Sequence, residues 1–310
     1  MEEILKHIKR PEVKDILHIQ TEALWKIHEI FTKRGFKQLM PLILSPITDP
    51  LGPDPGGSVI KTGKIEYDGQ ELQLMQSMIL HKQLALIAGL EKFYIASPNI
   101  RLERAEKRKT GIHAFEFTQF DFEIAYEKMG YVFALMETML TGIIKHVKDT
   151  CEESLQRLGR ELRIPSVPFK KYTTHELEEE YGKEWELKAS MEHKDPFWVL
   201  CHKREFYDKE DTQSQGHYRN YDLVYPEGFC EALSGGEREY EYKRIIERIK
   251  KDDLDASLYG PYLDLAKMDL LIPSSGAGFG VERLIRFLSG RRHIREVQLF
   301  PRIPGERVII

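Results

Sequence analysis

Residues 99–123 read NIRLERAEKRKTGIHAFEFTQFDFE: a strand-like segment, a charged connector with a glycine near its end, and a second segment in which aromatic and polar residues alternate. That order predicts a β-hairpin with a mobile tip. Over Ala114–Tyr126 the residues Phe115, Phe117, Phe120 and Phe122 alternate with polar ones, but the phase slips once. The slip predicts either one bulge or a strand buried on both faces. Working outward, Val13, Ile16, Ile19, Leu24, Ile27 and Ile30 fall largely along one helical face, which predicts a helix between Pro11 and Phe36 ended by Gly35. FKQLMPLILSP reads as an edge strand, Ser45–Gly57 as a loop rich in Pro, Gly and Asp, and Met78–Gly89 as a helix. Beyond the hairpin, one long helix is expected from about Lys128 to Leu158, then strands at PFWVLC, YDLVYP and FCEALS. Helices from about Glu237 and Leu254 and a closing helix from Val281 to Leu288 complete the chain, and the acidic run Glu176–Glu180 reads as a solvated helix face. Strands and helices do not alternate as βαβ units, so the fold class is α+β, a mainly antiparallel sheet with helices packed on it.

The 310 residues carry 46 basic and 50 acidic side chains, a formal charge of −4, which argues against a polycationic nucleic-acid clamp. A hydrophobic content of 41% is enough for a substantial core and excludes a disordered tail protein. Cys151, Cys201 and Cys230 are odd in number and widely spaced, which suits reduced thiols in a cytosol. No apolar run is long enough to span a membrane, so a soluble cytoplasmic protein with no membrane partner is expected.

Four groups of residues could carry chemistry. GAGFGVERL (276–284) lacks a dinucleotide loop's last glycine, since Val281 stands there, and leaves a glycine-rich strand running into a helix that bears Glu282 and Arg283. Arg101 and Glu103 stand two apart on one strand, with Phe117 on the returning one: a guanidinium for phosphate, a carboxylate for an exocyclic amine and a ring to stack a purine. Core packing is the plain alternative for Phe117. Asp222 and Glu231 would suit magnesium, which takes one or two carboxylates plus phosphate oxygens and water; exposed strand-end carboxylates are the alternative. Lys82 in QSMILHKQ and Arg238 in SGGERE are two cations that could meet a carboxylate, or else surface charges.

Together these segments resemble the three signature motifs of class II aminoacyl-tRNA synthetases of the aspartyl and asparaginyl branch. GFKQLMPLILSP is similar to motif 1 with Pro41, NIRLE…HAFEFTQFDFE to motif 2, and GAGFGVERLIRFLSG…IREVQLFPR to motif 3. The first motif's helix begins almost at residue 1, and SPITDPLGPDPGG has Asp49 at about the place of a glutamate in the tRNA ligases. In both respects the chain resembles the archaeal asparagine synthetases related to asparaginyl-tRNA synthetase. The resemblance implies one class II synthetase-like catalytic domain over residues 1–310, an antiparallel sheet flanked by helices, with no anticodon-binding OB-fold. It implies that Arg101, Glu103, His113, Phe117, Glu231 and Arg283 bind ATP and that Asp222 and Glu231 hold Mg2+. Asp49, Ser77, Lys82, Gln119, Asp121 and Arg238 would surround aspartate, for which a second cation such as Lys82 is the fitting choice.

The expected reaction is AMP-forming: ATP adenylates the β-carboxylate of aspartate, pyrophosphate leaves, and free ammonia opens the acyl-adenylate to give asparagine. Arg101, Asp49 and Gln119 are the expected catalytic residues, Asp49 as the base and Gln119 placing the ammonia. Aspartate, ATP and ammonia are then the partners, tRNA is not expected to take part, and IHEIFTKRGFKQLMPL would form a homodimer interface. One alternative keeps the adenylation and passes the amino acid to tRNA or another carrier, as an aspartyl- or asparaginyl-tRNA synthetase-like paralogue would. Another is a non-catalytic amino-acid sensor, which the presence of both Arg101 and Arg283 disfavours.

Overall fold

Phe120, Phe122 and Ile124 point to one side of their strand into the main core, while Gln119, Asp121 and Glu123 point to the other. The computed structural model describes residues 2–49, 51, 59–202, 205–214, 216–308 and 310. Its central sheet is formed by β1 (Lys37–Leu39), β2 (Lys92–Ile100), β3 (Glu116–Ala125), β4 (Lys170–Thr173), β5 (Phe197–Leu200), β6 (Asn220–Tyr225), β7 (Cys230–Glu237) and β8 (Ser274–Gly280). Their order across the sheet is β1-β2-β3-β8-β7-β6-β5-β4. Only the edge pairs β1/β2 and β5/β4 run parallel; the pairs between them are antiparallel, as expected. The predicted hairpin is β2 and β3, paired without a register shift from Lys92↔Ile124 to Ile100↔Glu116. The phase slip is therefore two-sided burial and not a bulge, with Phe117 in the phase of Gln119 and Asp121.

One face of the sheet is covered by helices Val13–Lys33, Met129–Thr150 and Val281–Ser289. The first buries Ile16, Ile19, Ala23, Ile27 and Phe31, a stripe at helical spacing, and Phe31 stacks on Tyr94 of β2 with ring centroids 4.5 Å apart. It ends where Gly35 takes φ +79°, a conformation strained for any side chain, and the Phe36 N–H returns to the Phe31 carbonyl at 3.0 Å. The opposite face carries the short helix Ile79–Leu86 and the buried polar groups described below.

Three boundaries differ from expectation. The long helix breaks at Cys151 (φ −117°, ψ 25°), and the separate helix Glu152–Leu158 turns onto the first helix, where Arg157 meets Asp15 at 2.8 Å. Glu237 ends a strand instead of opening a helix, because the chain stays extended to place Arg238 and Glu239 in the interior; the helix is Tyr242–Lys251. The next helix starts at Gly260, with a proline in its first turn, rather than near Leu254. The acidic run lies on helix Thr174–Tyr181, where Glu178, Glu179 and Glu180 are exposed and Leu177 is buried. Two small pairings were not anticipated: Leu44–Ser45 with Gln70–Leu74 and Lys64–Tyr67, and Val59–Lys61 with Leu102–Glu103. The expected loop Ser45–Gly57 extends over residues 50 and 52–57, which lie outside the described residues. The three cysteines form no disulfide, and no described helix is long and apolar enough to cross a membrane.

Candidate active site: two cavities with a common wall

Two cavities of about 260 and 250 Å3 lie against the polar face of β3, β7 and β8 and have Arg101, Gln119, Glu231 and Gly278 in common. Glycine alternation in β8 creates the space. Gly276, Gly278 and Gly280 pair with Glu123, Asp121 and Gln119, and a Cβ at Gly278 would lie 2.1 Å from Gln119 Nε2. A Cβ at Gly276 would come equally close to Glu123 Oε2. Gly276 and Gly278 therefore leave room for three polar side chains of β3, while Gly278 and Gly280 also line the cavities.

The first cavity is lined by Glu103, His113, Phe117 and Arg283 in addition to the common residues. The Arg101 guanidinium stacks 5.2 Å from the Phe117 ring centroid, and its Nε donates to the Gln76 carbonyl at 3.1 Å. Arg283 projects from the first turn of the last helix and pairs with Glu231 at 2.9 Å. His113 approaches Thr110 at 2.6 Å; burial, reinforced by the Arg283 charge, pushes its pKa down to about 3, so the ring is neutral. Glu282, also in the lining, accepts from the Thr118 N–H at 3.1 Å, and burial lifts its carboxyl to about 7.

The second cavity brings together Asp49, Ser77, Lys82, Gln119, Asp121 and Arg238. Lys82 Nζ also donates to the Ala277 carbonyl at 3.3 Å and lies 3.0 Å from Asp121. Arg238 is gripped by Glu123 at 3.0 Å and by Asp208 at 3.1 Å. Burial opposes the Arg238 charge, but these two carboxylates outweigh it and hold the guanidinium protonated. Asp49 accepts from the Leu51 N–H at 2.9 Å and the Tyr207 hydroxyl at 3.0 Å, and burial raises its carboxyl above the ordinary range. Gln119 accepts from Asn99 at 2.6 Å, and Ser77 Oγ accepts from the Ile79 N–H at 3.3 Å.

Of the two expected metal ligands, Glu231 lines both cavities while Asp222, on the adjacent strand, lines neither and lies 3.3 Å from His202. Glu186 closes this acidic corner by accepting from the Glu231 N–H at 2.7 Å; burial first, then the Glu231 charge, lifts its carboxyl to about 7. Among the described residues no three His, Cys, Asp or Glu side chains are grouped to hold a metal by themselves. The donor set fits magnesium only in the mode that uses one or two carboxylates together with nucleotide oxygens.

Sequence reasoning missed Glu123, Asp208, Tyr207, Asn99 and Glu186. Glu123 alone left a signal, standing two residues beyond Asp121 in the same strand phase. Asp208 sits in a stretch without periodicity and reaches Arg238 through an isolated bridge.

The chain is 29% identical over 318 residues to an asparagine–tRNA ligase from Pyrococcus abyssi, an alignment covering 96% of this chain and 70% of that protein. It is 30% identical to an aspartate–tRNA(Asp/Asn) ligase from Methanopyrus kandleri, with 95% and 69% covered. Its fold superimposes on asparaginyl-tRNA synthetase from Pyrococcus horikoshii, solved with asparaginyl-adenylate, with a TM-score of 0.85, 24% identity and coverage of 98% of this chain and 72% of that one. These matches overturn the expectation that tRNA takes no part, because the relatives aligned along almost the whole chain are tRNA ligases. The family model of the class II tRNA synthetases (D, K and N) matches residues 1–304, and the protein belongs to that family.

Proposed function

We propose that the protein is an ATP-dependent ligase that joins aspartate to AMP and passes the acyl group to tRNA. The observation that supports it most is the common wall: Arg101 and Gln119 border both the cavity holding Phe117 and Arg283 and the one holding Lys82 and Arg238. A nucleotide α-phosphate and an amino-acid carboxylate held on either side would meet beside Arg101. A carboxylate oxygen attacks phosphorus in line, the bond to pyrophosphate breaks, and the Arg101 guanidinium neutralises the charge that develops. Phe117 offers a face to the purine, Glu103 an acceptor for its amine, and Arg283 a partner for the far phosphate once displaced from Glu231. Glu231 and Asp222 would hold Mg2+, which supplies charge neutralisation on the phosphates.

Pyrophosphate exchange into ATP, measured with aspartate and with asparagine, followed by acylation of tRNA, tests the reading. Exchange that depends on aspartate, with label transferred to tRNA, is expected; no exchange with either amino acid overturns it.

Asp49 favours a second reading. A buried carboxyl with a raised pKa beside Lys82 and Arg238 is suited to take a proton from ammonia as it attacks a β-aspartyl adenylate, forming C–N and releasing AMP. Asparagine formed from aspartate, ATP and ammonium would establish that branch, and none formed would remove it. Exposed Met40, Leu42 and Ile43 support the further proposal of a homodimer across this apolar edge.

A further inference from the structure

Helix Trp185–Glu192 lines neither cavity and buries Ala189 in a core cluster with Phe197, Val199 and Val224 of β5 and β6. Glu186 and Ser190 stand one turn apart on it, so their side chains share a face. Each accepts from a main-chain N–H of β7: Glu186 Oε1 from Glu231 at 2.7 Å, and Ser190 Oγ from Cys230 at 3.2 Å. The Ser190 hydroxyl also donates to the Tyr225 carbonyl at 2.6 Å, and the Gly228 N–H donates to the Ser190 carbonyl at 3.2 Å. Two consecutive residues of a strand are thus bonded to side chains of one helix.

The strand is irregular where the helix holds it. Leu223 pairs with Leu233 but Val224 with Glu231, so Ala232 is an extra residue and β7 bulges beside Glu231. Immediately before, Cys230 takes φ +62°, a strained conformation for a residue with a Cβ. Arg286 Nη2, from the last helix, donates to the Phe229 carbonyl at 3.0 Å and ties down the preceding turn. Glu231, placed by these bonds, lines both cavities and pairs with Arg283.

We propose that Glu186 and Ser190 are positioning residues: they fix the main chain of Glu231, so that its carboxylate can leave Arg283 and hold the nucleotide's divalent cation while the strand stays in place. A bulged, strained strand end would otherwise follow its side chain, and a ligand that changes partner by side-chain rotation alone keeps the ion where the phosphates need it. The inference rests on the proposed adenylation and deepens it by naming what aims the cation's ligand.

The test is calorimetric titration with ATP in Mg2+ and in EDTA, without amino acid and so without turnover. Glu186→Ala should bind ATP about tenfold more weakly than wild type in Mg2+ and equally well in EDTA. Glu186→Gln keeps an oxygen acceptor for the Glu231 N–H and should bind within about twofold of wild type in both. Ser190→Ala removes the Cys230 acceptor, should weaken binding in Mg2+ about threefold, and carries the test if Glu186→Ala does not fold. In pyrophosphate exchange, Glu186→Ala should need about tenfold more Mg2+ for half-maximal rate while KM for aspartate stays that of wild type. Wild-type affinity that ignores Mg2+, equal binding in Mg2+ by wild type and both alanine variants, or a matching loss in EDTA each overturns the assignment. Glu186→Gln as weak as Glu186→Ala also overturns it, by making Glu186 a ligand of the ion. Exchange absent from wild type while the Mg2+-dependent differences persist would sustain the positioning role and remove the adenylation reading.

Discussion

Lys82 crosses from its helix to place Nζ 3.0 Å from Asp121 Oδ1, both side chains 2% exposed. The same ammonium stands 3.7 Å from Glu123, which holds Arg238, which in turn holds Asp208. Charges thus alternate through the interior as Asp121, Lys82, Glu123, Arg238 and Asp208, and neither cation is spare. A substrate carboxylate must draw on cations already paired. Asp121 Oδ2 is buried without a hydrogen-bond partner among the described residues, so an incoming ammonium would satisfy it.

Removing one member of that row should cost more than removing two. Lys82→Met leaves Asp121 buried without its counter-charge and should lower stability by about 3–5 kcal/mol. Lys82→Met/Asp121→Asn should recover a large part of that loss. Urea denaturation of the full double-mutant cycle measures the coupling, and additive losses would contradict the pairing.

Arg101→Lys keeps a positive charge but loses the planar fork and the stack on Phe117. Pyrophosphate exchange should fall about a hundredfold in kcat/KM for ATP. Phe117→Ala should act mainly on KM for ATP, raising it roughly tenfold. Near wild-type exchange by Arg101→Lys would remove Arg101 from the reacting centre.

Gly278→Ala forces a methyl into Gln119 and Asp121 and should cost roughly 1–3 kcal/mol while reducing exchange more than about tenfold. Gly130→Ala is the control: nothing lies within 4 Å of its Cβ, the residue is exposed in a helix, and stability should hold or rise by up to about 1 kcal/mol. Thermal melts of the two variants side by side decide the matter.

His113 is held near a pKa of about 3, below the ordinary 6.5. Between those values the unfolded chain binds a proton that the folded one refuses, so this ring's contribution to stability is whole above 6.5 and is lost as the pH falls toward 3. His113→Asn should flatten that part of the acid limb in denaturation curves collected across this range. Identical slopes for variant and wild type would show that the ring titrates normally.

Met40 is 82% exposed and Ile43 54% exposed on the apolar edge next to the first strand. Met40→Glu/Ile43→Glu should convert a dimer to monomer in light scattering, with the melting transition of the monomer kept cooperative. A wild-type protein that is monomeric at micromolar concentration would eliminate this interface.

Much of the hairpin was legible because its signal is local: alternation between Phe117 and Phe122 and glycines two apart in 276–280 are consequences of strand geometry within a few residues. The boundaries at Cys151 and Glu237 were not, because each is set by a distant partner: Arg157 reaching Asp15 in one case, Arg238 reaching Glu123 and Asp208 in the other. The placement of Lys82 and Arg238 beside the Phe117–Arg283 cavity needed all of β3, β7 and β8 in register.

Residue order alone thus carried the antiparallel framework, the glycine alternation of 276–280 and the donor types proposed for phosphate and carboxylate, since those follow from periodicity and side-chain chemistry. Tertiary structure alone decided that the β8 glycines make room for Gln119, Asp121 and Glu123, and that Lys82 and Arg238 are paired. Those outcomes depend on contacts such as Lys82 to Ala277, 195 residues apart, and charge neutralisation acts through space, not along the chain.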